Sequence, residues 1–266
     1  YETANHILGN VLLLNLILGT TYTFFILLFL EPILLFFGAS RATLPFARDF
    51  MVIISLGNVV THIYLGLNAL LRASGNPKRS MFATIYSVMI NVILAPLFIF
   101  VFKWGIRGAA LATVIAQTVM LLWQLNHFMD KSSFIHFHKG IFRLKRKIVI
   151  DSMSIGLAPF LMNIAASIIV ILINQGLIRH GGDLAVGAYG VLNRVGSLFV
   201  MVVFGLNMGM QPIAGYNFGA RQYDRVNRVL KLTIILATGV MTAGFLLGEI
   251  FPRAVVSAFS NDKDLI

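Results

Sequence analysis

Seven long stretches of this chain are almost free of charge, and no other feature limits its fold as much. They run Ile7–Leu30, Phe50–Leu71, Ser80–Phe102, Gly108–Met129, Ile155–Ile178, Leu184–Met210 and Val229–Phe251, and only the sixth holds a charge well inside it, at Arg194. A hydrocarbon core about 30 Å thick takes roughly 20 apolar residues at the helical rise. In lipid the backbone must satisfy its own hydrogen bonds, so runs of this length are helices; barrel strands would be about half as long and would alternate. The reading is an all-α polytopic membrane protein.

Composition agrees. The chain is 58% hydrophobic and 12% charged, where a soluble domain carries charge on roughly a quarter of its residues. It has no cysteine, which removes disulfides, thiolate nucleophiles and cysteine-held metals. A net charge of +11 reads as membrane orientation rather than nucleic-acid binding, because Lys and Arg gather in particular loops. Thirteen fall on one side and seven on the other, so loops 72–79, 130–150 and 215–228 are expected to be cytoplasmic. Ile7–Leu30 is too long for a signal-peptide core and no cleavage site follows it; the chain is expected to begin mid-structure.

The sequence also repeats. Tyr1-Glu2-Thr3-Ala4-Asn5-His6-Ile7-Leu8 returns as Tyr223-Asp224-Arg225-Val226-Asn227-Arg228-Val229-Leu230, and each copy leads into an apolar stretch with an acid and a proline near its end: Glu31-Pro32, then Glu249 and Pro252. Six spans separate the copies, an even number, so the copies are expected to run parallel, as in transporters whose halves are related by an axis along the membrane normal. The expected division is residues 1–129 in an N-terminal lobe, 130–150 as a basic amphipathic linker lying in the interface, and 151–266 in a C-terminal lobe.

None of the ten acids, Glu2, Glu31, Asp49, Asp130, Asp151, Asp183, Asp224, Glu249, Asp262 and Asp264, lies mid-span. That argues against a membrane-embedded enzyme with an acid-held metal. Arg194 and His62 are the ionisable groups inside spans. A buried cation costs several kcal/mol unpaired, so Arg194 is expected to have a partner, as a structural tie or in gating, and His62 to hydrogen-bond between helices. His136 and His138 lack further ligands, and no metal site is expected. Neutral polar residues say more. Asn91 precedes Pro96, which frees the Val92 carbonyl. Thr113, Gln117 and Gln124 stripe the next helix, and Pro159, Asn163, Ser167 and Asn174 repeat the device. Their recurrence on three helices predicts a polar cavity.

Four segments carry a family resemblance. Gln211-Pro212-Ile213-Ala214-Gly215-Tyr216-Asn217-Phe218-Gly219-Ala220, leading into Arg225-Val226, resembles the eighth-helix exit of the multidrug and toxic compound extrusion (MATE) family. Arg72-Ala73-Ser74-Gly75-Asn76-Pro77 resembles its loop after the fourth helix, Asn91 to Ile99 its fifth helix, and Gly105 to Thr113 its sixth. The resemblance implies a twelve-helix transporter of two parallel six-helix lobes, of which this chain would hold helices three to nine, in a bacterial cytoplasmic (inner) membrane. It implies cation-coupled antiport, driven by H+ or Na+, that exports drugs or organic cations by alternating access, with no other cofactor, no nucleic-acid partner and a monomeric protein in the lipid bilayer.

Asn91 and Thr113 match polar members of the first-lobe cation site in one branch of that family. Ala95 departs from it, standing where that branch commonly has an aspartate, and Ser167 stands where another branch has an acid. The family's first-helix aspartate would precede Tyr1. Asn91, Thr113, Gln117, Asn163 and Asn174 are therefore the expected cavity lining, with Pro96, Pro159, Arg194 and Gln211 structural or gating. A lipid-linked saccharide flippase of the same superfamily is the near alternative, though its cavity would need several cations for a diphosphate. A membrane-embedded enzyme is the alternative of another class, and a channel lacks a filter-like loop.

Overall fold

The computed structural model describes residues 2–37, 43–130, 133, 135–138 and 140–257, without the side chains of 174, 178, 181–187, 191 and 254–256. Among them no strand occurs. Eight α-helices follow one another: α1 (Glu2–Leu28), α2 (Leu30–Phe36), α3 (Leu44–Ala73), α4 (Pro77–Pro96), α5 (Gly105–Met129), α6 (Arg146–Gly219), α7 (Tyr223–Ile250) and α8 (Pro252–Ser257). Seven stretches, one of them running from Pro77 past α4 to Val101, are long and apolar enough to cross a membrane, and each overlaps one of the uncharged runs.

The helix boundaries follow local chemistry. Pro32 clashes with the carbonyl four residues back, and the chain breaks at Phe29, between α1 and α2. Pro96 ends α4 and opens a π-turn, Leu97–Val101, closed by the Phe102 N–H on the Leu97 carbonyl at 3.0 Å. After α3, Gly75 takes φ +83°. The Asn76 N–H then reaches the Leu71 carbonyl (2.9 Å), the Gly75 N–H reaches that of Arg72 (3.3 Å), and Pro77 opens α4. This is a Schellman turn followed by an N1 proline. The end of α6 repeats it, with Gln222 bonding Asn217 (2.8 Å) and Arg221 bonding Phe218 (3.0 Å). Here the left-handed residue is Arg221, at φ 58°.

One expectation fails. Arg179-His180-Gly181-Gly182-Asp183 was expected to be a loop between two spans, yet α6 runs unbroken for 74 residues. Glycine inside a helix costs only about 1 kcal/mol, and no proline lies between Pro159 and Pro212 to remove a donor from the ladder. At 1.5 Å per residue the helix is about 111 Å long. It holds two span-length segments, Arg146–Leu177 and Ala188–Gly219. A reversal of direction between them rests on the charge count alone.

The chain divides into two compact units, Tyr1–Met153 and Ser154–Ile266. In the first, α3 packs against α1, α2, α4 and α5, and α5 also packs on α4. Gly57 lets α3 and α5 approach: a Cβ there would overlap the Val114 side chain. The core at one end of this unit holds Leu8, Leu67, Leu71, Phe128 and Ile141, all fully buried. Ile141 and Ile135 come from the segment expected to lie in the interface. Instead that segment docks as irregular chain on α1, because its backbone groups find partners there. Asn5 Oδ1 accepts from the His136 N–H (3.1 Å), Asn10 Oδ1 from the Lys145 N–H (2.8 Å), and Asn10 Nδ2 donates to the Arg143 carbonyl (3.0 Å). Phe142 and Leu144 stay half exposed.

Candidate functional site

A seam of neutral polar side chains joins α3, α4 and α5. Asn91 Nδ2 on α4 donates to Thr113 Oγ1 on α5 at 3.0 Å, and the Thr113 hydroxyl donates to its own helix at the Ala109 carbonyl, 3.1 Å away. One turn along α5, Gln117 Oε1 accepts from Thr61 Oγ1 of α3 at 2.5 Å. Both pairs sit where the sequence places mid-span, and both are half-buried. Pro96 follows one turn after Asn91 and directs α4 into its π-turn.

The seam continues along α3 in both directions. Toward α1, Thr23 Oγ1 donates to the Ser55 carbonyl (2.8 Å) and Asn58 Nδ2 to that of Gly19 (3.4 Å). Toward α4, the Tyr64 hydroxyl donates to the Ala83 carbonyl (3.4 Å), Asn68 Nδ2 to Thr84 Oγ1 (2.9 Å) and Arg72 Nη1 to Ser80 Oγ (3.0 Å). Ser55, Asn58, Thr61, Tyr64, Asn68 and Arg72 recur every three or four residues and together wind over half of the helix, from the side toward α1 to the side toward α4. That periodicity was the signal for Ser55, Asn68 and Arg72. His62, one turn after Asn58, is half-buried toward Gly19 of α1.

The other expected site residues are not brought to the seam. Asn163 on α6 is exposed and donates to the Pro159 carbonyl of its own helix (2.8 Å); Ser167 returns to Asn163 in the same way (2.9 Å). Gln211 is exposed, and the side chain of Asn174 lies outside the described residues. Arg194 is exposed, and among the described residues no acid pairs with it. Its expected partner is not found. Gln124, in the same stripe as Gln117, is fully buried with neither amide atom bonded among the described residues.

Chemically the seam offers hydroxyl and amide groups, with the Arg72 guanidinium at one end, and no carboxylate. Ala95, half-buried beside Pro96, supplies none. The acids Glu31 and Asp49 instead pair with Arg48 (3.3 Å) and Arg107 (2.8 Å) at the far ends of α2, α3 and α5. Among the described residues no group of three or more His, Asp or Glu side chains could hold a metal.

Long apolar helices joined by neutral polar pairs define an all-helical polytopic membrane protein. The chain belongs to the MatE family, which matches residues 1–97 and 158–266. It is similar to the multidrug export protein MepA of Staphylococcus aureus (strain MSSA476), 28% identical over 243 residues, which take in 90% of this chain and 52% of that protein. The chain thus spans about half the length of the curated relatives it matches. Its fold is similar to that of a MOP superfamily transporter from Pyrococcus furiosus for which a binding pocket of reverse polarity suggests a different function. There the TM-score is 0.91 at 23% identity, covering 99% of this chain and 59% of the other. It is also similar to the outward-facing conformation of a multidrug resistance MATE family transporter of the MOP superfamily, with a TM-score of 0.89 at 24% identity over 97% of this chain and 58% of the other.

Proposed function

We propose that this protein is a secondary active transporter that exports drugs or organic cations by alternating access, coupled to an inward flow of H+ or Na+. Membership in the MatE family and likeness to multidrug export proteins support the class. The observation that carries the reading within this chain is the Asn91–Thr113 and Thr61–Gln117 pairing. Polar groups at mid-depth in lipid need partners, and these form a neutral lining without cations, which suits an organic cation better than the diphosphate of a lipid-linked saccharide.

With alanine at position 95 the seam has no carboxylate, and serine at 167 supplies none on α6, so coupling runs through a carboxylate elsewhere in the protein. H+ is then the expected coupling ion, since one acid suffices for a proton while Na+ favours several oxygens. The test is efflux of a fluorescent lipophilic cation from vesicles holding the intact protein, with Na+ and pH gradients imposed separately. Export driven by a pH gradient alone is the expected result. Export that requires Na+ and ignores pH overturns the coupling, and no export under either gradient overturns the transport reading.

A further inference from the structure

Where α4 begins and α5 ends, on the side richer in Lys and Arg, lies a cavity of about 550 Å³ lined by Arg79, Trp123, Asn126, His127, Met129 and Asp130. That is a volume typical of small-ligand sites, and the seam makes no use of it. Its lining is divided by chemistry. Arg79, from the first turn of α4, is in hydrogen-bond contact with Nδ1 of His127. A guanidinium only donates, so His127 accepts at Nδ1 and keeps its proton on Nε2. Arginine N–H groups, the His127 Nε2–H and the Asn126 amide make one donor-rich wall. Asp130 contributes a carboxylate opposite in sign. Trp123, 39% exposed, and Met129, 66% exposed, make the apolar flank, with the indole at the depth where aromatic side chains meet the membrane interface.

We propose that this cavity holds the headgroup of an aminophospholipid, a phosphodiester joined to a primary ammonium. The phosphate sits on Arg79, with Asn126 and His127 as further donors. The ammonium turns to Asp130, and the first methylenes of the lipid lie along Trp123 and Met129. Asp130 already interacts within the protein, but a carboxylate has about four acceptor positions and takes more than one donor. The same carboxylate selects among lipids. An anionic headgroup without an amine leaves its charge against Asp130, and a quaternary ammonium offers that oxygen no N–H.

The chain has two tryptophans, Trp104 and Trp123, and the reporter is a variant of the intact protein in which Trp123 is kept and every other tryptophan, Trp104 included, is replaced by Phe. The protein is placed in phosphatidylcholine nanodiscs with a minor fraction of acyl-brominated lipid, and quenching of Trp123 is read. Brominated phosphatidylethanolamine is expected to quench about fivefold more effectively than brominated phosphatidylcholine at equal fraction, the scale of one net hydrogen bond, here from the ammonium to Asp130. D130N removes that preference and shifts it toward phosphatidylglycerol, whereas R79Q weakens quenching by both brominated lipids and R79K restores most of it. Circular dichroism checks that each variant folds; if R79Q does not, D130N and R79K decide. Equal quenching by all lipids, a preference that survives D130N, quenching that R79Q leaves unchanged, or a preference of the unsubstituted cavity for phosphatidylglycerol overturns the proposal. So does loss of the preference on adding soluble glycerophosphoethanolamine, which assigns the site to a free phosphate ester.

Discussion

In residues Tyr1–Met153 polar side chains reach from one helix to the next, whereas in Ser154–Ile266 the described ones turn back on themselves. Asn91, Thr61, Asn68 and Arg72 each bond a residue of another helix. Asn163, Ser167, His180, Ser197, Asn217 and Thr233 each bond a carbonyl three or four residues back on their own helix. Burial follows the same division. In α3 and α5, 22% and 33% of the span is buried, against 0% for the spans of α6 and α7. The lesson concerns how a polar residue survives in lipid. A short side chain on a helix satisfies itself at the i−4 carbonyl, and it serves another helix only where small residues such as Gly57 let that helix come close.

Substitutions can break this contrast. Gly9→Val is expected to have the largest effect, a loss of about 3 kcal/mol, because a Cβ at Gly9 overlaps the Ile141 carbonyl of the docked segment. At Gly205, on α6, nothing lies within 4 Å of the added atom, and Gly205→Val changes stability by no more than about 1 kcal/mol. Denaturant titration of the two variants in micelles compares them, and equal losses would mean that residues 135–145 do not dock on α1. Asn10→Leu comes next, at about 2 kcal/mol, since it strands the Lys145 N–H and the Arg143 carbonyl; Asn163→Leu is expected to cost almost nothing.

A finer test is a double-mutant cycle on Asn91→Ala and Thr113→Ala, where a coupling of about 0.6–1.7 kcal/mol is expected for an interhelical polar pair in a membrane. Asn163→Ala with Thr233→Ala should show none, as each bonds only its own helix. Smallest is Arg221→Gly, which relieves a left-handed residue that glycine adopts freely. A gain of about 0.5–1 kcal/mol in unfolding free energy is expected, while Gly75→Arg at the matching turn should lose a similar amount.

Much of the architecture was legible in the sequence. Length without charge located all seven span segments, and Pro32, Pro96 and the Gly75-Asn76-Pro77 turn marked real breaks, because proline's missing donor and glycine's left-handed freedom act locally. Asn91, Thr113 and Gln117 were found for the same reason, as polar residues on faces that must be packed. Local rules misled at Gly181-Gly182, where a helix simply continues, and in the 130–150 linker, whose apolar residues interleaved with charges suggested a segment lying in the interface. What they missed there was long-range: Asn5 and Asn10 lie more than a hundred residues from the backbone they hold.

The sequence by itself determined that this chain is helical, that it lives in lipid and that its spans hold no acid at mid-depth, because each of these follows from residue type and spacing along one axis. Tertiary structure decided the rest. It chose Thr61 as the partner of Gln117, gave Arg79 and His127 a shared cavity with Asp130, and left Asn163 and Arg194 on an exposed helix face. The reason is physical: a hydrogen bond is satisfied within about 3 Å, and only folding brings groups from different helices that near.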